Sequence, residues 1–428
     1  MGIFNGNYNA AKQELVDRLN AKVSTSIPFI QKRVNLGKGL VTKDNRQHGI
    51  MQFYVPASGN ASVGQVTYPA GGYPSPFSAL DLTGRPRNSS FYKKECYAQN
   101  ASDILEYSSF EEIFLLGDIQ KDLIKPRGQR MAHVIEKDLV DRNWFKAGGA
   151  VVSNSADFMA LSRVSAELQS IKANGDFTGF ISPMLQSYLA TSPLRMDFNA
   201  PDARIAEMYG KSSIGTFANC DWVNEAFMPI FTSGGAWGTG AKVKSAVSTQ
   251  GATSITLTGL SASVNIPKGT PFSIAGVYEV TMSGVKQSYL KKFIVQETTQ
   301  ASSGGEATVK VVPLYFNSND GYTNTVWVDN AGGAVGIPAN AQVTMLVEAN
   351  TDYYIGLVRD SDAFNWTPFE WPELLALDNS TSSTDELTIQ MAAGGEILQR
   401  TNIMRMDIPY FGDIIDERAV RTLYVKVA

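Results

Sequence analysis

Apolar positions recur at helical spacing in three stretches of the chain. Over residues 8–23, Leu15, Val16, Leu19 and Val23 share one face, with Lys12, Glu14, Asp17, Arg18 and Lys22 on the others, which predicts a short amphipathic helix. From Arg127 to Lys146, Met131, Val134, Ile135, Leu139 and Trp144 fall near one face. Pro126 suits a first helical turn and Gly148-Gly149 supply a stop, so this is the strongest helix of the chain. Arg127, Arg130, Glu136, Lys137, Asp138 and Asp141 are expected on its other sides. A further helix, about Ser155 to Ala173, carries Phe158, Leu161, Val164, Leu168 and Ile171 and ends at Asn174-Gly175. These two helices predict an α/β or α+β domain with one long helix as its backbone.

Elsewhere the pattern is extended. Residues 31–47 are basic, aperiodic and Gly-containing, as in an arm. Ile50–Val55 is strand-like and stops at Pro56, and a second extended run, Ser90–Ala98, can return beside it. The thirty or so residues between them are rich in Gly, Pro and Ser, which suits a projecting hairpin loop better than a compact core. From Ser233 to about Asn350 the chain reads as almost purely β, with strands at Ser254–Thr258, Pro271–Ile274, Tyr278–Met282, Leu290–Glu297, Thr308–Pro313 and Gln342–Val347. Their spacing suits a small barrel or sandwich inserted into a host domain. A flexible junction is expected at Gly234–Gly240. Thr422–Val427 predicts an alternating final strand.

With 428 residues the chain is long enough for two or three domains. Charged residues make up 18% against about 25% in ordinary soluble domains, and aromatics 10%, which leans toward a protein whose surface is largely covered by neighbours. The net charge of -4 hides a segregation: residues 1–100 carry a balance of +7, residues 351–428 a balance of -7. Charges so opposed can attract within one chain or between neighbours. Cys96 and Cys220 are too few for a disulfide framework and are read as reduced thiols. No run approaches the roughly 18 apolar residues of a membrane-spanning helix, and the opening Met1–Asn5 has no secretory character, so no cleaved leader is expected.

Candidate chemistry is sparse. His48 and His133 have no second ligand at zinc spacing, and no Gly-x-Ser-x-Gly elbow accompanies the serines. Gly234–Gly240 is followed by an extended segment and not by the helix start a phosphate loop needs. Asn317–Gly321 opens like a calcium loop, but Val328 stands where the closing carboxylate belongs. Asp360 with Asp362, and Asp385 with Glu386, read as solvated loop charges or contacts with a neighbour's basic residues. No catalytic, cofactor-binding or metal residues are assigned, and the chain is read as a non-enzyme. An acidic chain without a Lys/Arg stripe is also no sequence-specific nucleic-acid binder.

The order of these parts resembles the major capsid proteins of tailed bacteriophages, and most closely the P22-type coat proteins. Arg130–Val140 running on to Gly148–Val152 is similar to their spine helix and the turn leaving it. Phe217–Val223 through Pro229–Thr232 is similar to the strand entering their insertion, and Lys268–Val277 to a segment of the inserted barrel. The resemblance implies an α+β, HK97-like capsid fold with an inserted all-β barrel domain. On that pattern residues 1–47 are the N-terminal arm, 48–99 the extended loop and 100–176 the peripheral domain with the spine helix. Residues 177–232 are the first part of the axial domain, 233–350 the insertion, and 351–428 the returning axial and peripheral part. It further implies hexamers and pentamers in an icosahedral head, assembled in the host bacterial cytoplasm, and no membrane. The head encloses double-stranded DNA without reading its sequence. Its partners would be a scaffolding protein, a portal protein and, in some heads, a decoration protein. No covalent crosslink is expected. Arg85, Arg87, Lys93 and Lys94 are the candidate inter-subunit contacts, meeting the acidic C-terminal portion of a neighbour. Another phage structural protein, of the tail or an appendage, is the alternative, with a secreted carbohydrate-binding or hydrolytic β protein behind it.

Overall fold

The computed structural model describes residues 16–17, 20, 50–56, 91–108, 125–172, 175–190, 215–282, 285–316, 325–329, 336–371, 378–383, 387–396 and 401–427. Two β-sheets form the body, with a long helix buried between them. The first sheet is built on a 14-residue strand, β22 (Thr401–Ile414). β3 (Gln99–Ser108) pairs antiparallel along one side of it, and β21 (Thr388–Glu396) and β19 (Phe364–Pro368) along the other. β20 (Asp378–Ser383) pairs with β21.

The helix α1 (Lys125–Asn143) lies on this sheet. Met131, Ile135 and Leu139 are buried as their spacing predicts, but Val134 is 52% exposed. Glu136, expected outside, is buried. At 3.6 residues per turn the buried arc runs from Met131 through Ala132, Glu136 and Val140, roughly half the helix circumference. Val134 falls on the remaining side. A helix clasped by two layers hides more than the single stripe of a surface helix. Asn143 fixes its C-terminal end: the side-chain amide donates to the Leu139 carbonyl at 2.8 Å, and its oxygen accepts from the Ile414 N–H at 3.1 Å. On the flank, Asp138 accepts from Arg142 at 2.5 Å and from the Tyr410 hydroxyl at 2.6 Å, while Tyr410 stacks on Trp366.

The second sheet has the order β4-β23-β18-β5-β7-β6, with β8 also on β18. Its strands are β4 (Gly149–Ser153), β5 (Phe177–Ile181), β6 (Gly215–Phe217), β7 (Cys220–Asn224), β8 (Ile230–Thr232), β18 (Asp352–Asp360) and β23 (Val420–Lys426). The β4–β23 and β5–β7 pairs are parallel, the others antiparallel. One face carries α2 (Phe158–Ile171), whose five predicted apolar positions are all buried. Asp157 caps it by accepting from the Ala160 N–H at 2.9 Å. The other face meets α1 through Phe180, Ile355, Leu357 and Tyr424. β23 is therefore buried on both sides, with Leu423 and Val425 toward α2 and Tyr424 toward α1. The expected half-exposed alternation is not found there. β4 and α2, placed by sequence in one unit with the long helix (100–176), belong structurally to this second sheet.

The stretch between β8 and β18 leaves and re-enters this sheet at one place. Thr232 pairs with Asp352, the Ser233 N–H donates to the Thr351 carbonyl, and the Asn350 N–H donates to the Gly234 carbonyl, both at 2.9 Å. The predicted flexible junction is thus a clasped one: a Cβ at Gly234 would lie 2.0 Å from the Asn265 carbonyl oxygen, and Trp237 is buried. Strands β9 (Lys242–Val243) through β17 (Val343–Met345) form three small sheets around a core of their own, including Trp237, Phe272, Phe293 and Phe316. The two strands expected at Pro271–Ile274 and Tyr278–Met282 are one, β12 (Pro271–Val280). Its register slips between Ser273 and Tyr278, where Gly276 takes a left-handed φ of 77°.

This block is tied to the body along a seam. The Trp144 ring sits against Gly269, whose own φ is 89°; a Cβ there would stand 2.1 Å from the indole. The Gly269 carbonyl also accepts from the buried Tyr424 hydroxyl. Beside this point Glu279 accepts from Lys291 at 2.7 Å and faces Arg421 at 3.6 Å, all three buried. Gly269→Ala is expected to combine left-handed strain with overpacking and to cost about 2–4 kcal/mol. Denaturant unfolding followed by tryptophan fluorescence would measure this, and a loss within about 0.5 kcal/mol would contradict it.

Candidate assembly interface

β1 (Ile50–Pro56) and β2 (Phe91–Tyr97) pair antiparallel over their full length, from Ile50 opposite Tyr97 to Pro56 opposite Phe91. They make a two-stranded sheet by themselves, and residues 57–90 separate them in sequence. The predicted return of the second run beside the first is the arrangement observed.

Among the described residues, the base of this hairpin docks on the body. Met51 and Cys96 pack with Phe369, Phe411 and Ile415 in a small separate core. Alongside it lies a knot of charge. The Lys94 ammonium binds the Glu417 carboxylate, and Lys146 donates to Asp413 at 2.7 Å. Both carboxylates are nearly buried. Burial alone would lower the Lys94 pKa, but Glu417 and Asp413 outweigh it and hold the ammonium above its ordinary range. For Cys96, burial pushes the thiol up, and Asp413 adds to the effect. Cys96 and Cys220 are both free and buried.

The structure locates the candidate contacts unevenly. Lys93 and Lys94 are adjacent on β2, and Lys94 meets an acidic C-terminal residue of its own chain. Arg85 and Arg87, like His48, Asn317–Gly321, Asp385 and Glu386, lie outside the described residues. Asp360 is a correction. It was expected to be solvated, yet it is 1% exposed, binds Lys172 and accepts from the Asp176 N–H at 3.1 Å. Asp362 remains exposed and shares Lys172 at 3.1 Å. Glu417, Asp413 and Lys146 were not singled out from sequence, because nothing local announces partners more than 260 positions apart. For Glu417 and Asp413 the one trace was the acidic balance of residues 351–428.

Other surfaces offer contact area without chemistry. An open groove of about 630 Å³ runs between the β4–α2 turn and the inserted block, lined by Asn154, Asp157, Arg163 and Lys292 among others. Among the described residues, no group of three His, Cys, Asp or Glu side chains is placed to hold a metal ion. None of the described helices is long and apolar enough to cross a membrane.

No family model matches the chain, and no curated protein matches it. Among solved structures it is similar to the capsid of Ralstonia phage GP4, at 8% identity over 89% of this chain and 84% of that one, with a TM-score of 0.43. It is also similar to the capsid of the native GTA particle (10% identity, 94% and 91% covered, TM-score 0.42). A third similar chain comes from Mycobacterium phage Che8 (9% identity, 93% and 90% covered, TM-score 0.42).

The charge knot makes a prediction. Lys94→Met leaves Glu417 buried without its partner and is expected to cost about 3 kcal/mol. The loss should appear as faster amide exchange in β1 and β2 with little change in α2. Adding Glu417→Gln should restore part of the protection. Equal exchange in Lys94→Met and the parent would show that the pair does not hold the hairpin.

Proposed function

We propose that this chain is the major capsid protein of a tailed bacteriophage, a non-enzymatic subunit that assembles into an icosahedral head around double-stranded DNA. The observation that carries this reading is the isolated hairpin. Two strands alone are marginal in water, and among the described residues β1 and β2 pair with no third strand. A two-stranded hairpin that docks on the body through Met51 and Cys96 suits a subunit whose arm is covered by neighbours. Heterologous contacts between identical subunits close into rings when the rotation between them closes, so hexamers and pentamers follow from one such contact used repeatedly.

In this reading residues 1–47 are the N-terminal arm and 48–99 the extended loop. The first sheet with α1 is the peripheral domain, and the second sheet with α2 the axial domain. The block between Thr232 and Asp352 is the inserted barrel. A scaffolding protein, a portal protein and a decoration protein are its partners, and assembly takes place in the host bacterial cytoplasm. The low charge of the chain suits a container, because a strongly basic wall would grip DNA that has to slide during packaging.

Expression of the chain with and without a scaffolding protein, followed by electron microscopy, tests this. Closed shells or hexamer–pentamer lattices are expected. Tubes with a tail-like repeat, or a monomer that assembles under no salt or partner condition, would overturn it. The candidate contacts are tested separately. Reversing the charge of Arg85, Arg87 and Lys93, while keeping Lys94 for its own-chain partner, should weaken assembly and flatten its salt dependence. Assembly that kept the parent's yield and salt profile would remove these three residues from the interface.

A further inference from the structure

We propose that Glu136 of α1 and Glu225, which follows β7, share one proton across the seam between the long helix and the second sheet, and that loss of this proton releases the seam. The inference rests on the subunit's own geometry and does not depend on the shell reading. Glu225 is fully buried and Glu136 is 4% exposed. The Glu225 backbone is fixed: its N–H donates to the Ile181 carbonyl at 2.9 Å, extending the sheet by one residue. Its Oε1 accepts from the Phe227 N–H at 3.1 Å. Its Oε2 has no donor among the described residues, yet the side chain lies within hydrogen-bonding reach of the Glu136 carboxyl.

Two carboxylates cannot both stay ionised side by side in an apolar seam, and each has only acceptor oxygens to offer the other. A proton on Glu225 resolves both problems. Oε2 becomes a donor, Glu136 becomes its acceptor, and one negative charge leaves the interior. The surroundings supply little else. Besides Glu225, the titratable neighbour of Glu136 is His133, one turn earlier on the same helix, with its ring 5.7 Å from that of Phe227. From the sheet side, Glu136 and the Phe227 N–H are what act on Glu225. Burial first, then the Glu136 charge, pushes the Glu225 carboxyl up to about 9, and burial raises Glu136 as well.

The position makes the proton consequential. Glu225 opens the turn that carries Met228 and Phe231 into the core against α1 and then, through β8, into the inserted block. Deprotonation would set two like charges between the helix and that turn. The sign follows from the raised value: the folded chain keeps a proton the unfolded chain has released. Stability is therefore full below the ordinary carboxylate range and declines as pH rises toward about 9, where the folded carboxyl also ionises. Across that window one retained proton lowers the folding equilibrium constant about tenfold per pH unit.

Difference infrared spectroscopy of the purified full chain between about pH 7 and about pH 10 tests the shared proton. The parent should lose one protonated-carboxyl band over this range, and Glu225→Gln should lack that band. Should Glu225→Gln fail to fold, Glu136→Gln serves, because removing the neighbouring charge should move the band's midpoint to lower pH. A parent without such a band at neutral pH, a band that survives Glu225→Gln, or a midpoint unmoved in Glu136→Gln would overturn the pair. Amide exchange, corrected for its intrinsic pH dependence, tests the release. Protection in 131–140 and 223–231 should fall on the alkaline side in the parent and not in Glu225→Gln. Unchanged protection in the parent would overturn the release.

Discussion

Helix α1 approaches β22 closely at Gly412, where a Cβ would lie 2.5 Å from Leu139 and within 3.4 Å of the Trp366 ring. Any larger residue there would hold the helix off the sheet, and the consequences would spread because α1 is the member both sheets share. Its inner side completes the core with Ile389, Met406 and Ile408 of the first sheet and with Phe180, Ile355 and Tyr424 of the second. Trp144, just past its end, carries the contact onward to Gly269 of the inserted block. Interiors are close-packed, so a helix packed on two sides transmits a displacement of one to the other. The body therefore moves as one piece unless this seam opens.

The electrostatics have the same logic at longer range. The opposed charge balances of the chain ends are partly consumed inside the molecule, where Lys94 meets Glu417, and a mid-chain cation, Lys146, meets Asp413 beside them. These pairs are poor sources of net stability, since the desolvation of two ions offsets most of their attraction. What they supply is register. A β-hairpin docked by Met51 and Cys96 alone could slide or rotate on its small core, whereas the Lys94–Glu417 pair beside that core fixes its orientation.

Much of this was legible in the sequence wherever a pattern was local. The five apolar positions of α2 are all buried, and the hairpin strands at Ile50–Pro56 and Phe91–Tyr97 pair as their extended runs suggested. Each strand predicted between Ser233 and Asn350 overlaps an observed one, two of them merged at Gly276, whereas the short strands Asn265–Ile266, Thr299–Gln300 and Trp327–Val328 were not predicted. Reading failed where the environment came from distant chain. Val134 was assigned to the core for being apolar and Glu136 to the surface for being charged, and a second packing layer reverses both. β20, with the sequence Asp378–Ser383, has almost no apolar content and is a strand because β21 offers it a partner. The buried Asp360 was unreadable for the same reason, its cation being 188 positions away.

Glu136 shows why such misreadings gather at informative places. Local rules assume that each residue meets an environment suited to its type, and most residues here do. A carboxylate on the inner arc of a helix violates that rule and requires a compensating partner, which Glu225 supplies only in its protonated form. An apolar pair of similar volume would pack this seam without a dependence on pH. The acidic pair instead makes closure of helix and sheet conditional on a proton, and it does so at the turn that leads through β8 into the inserted block. A proton placed there bears on both sheets at once, because α1 is the element they share.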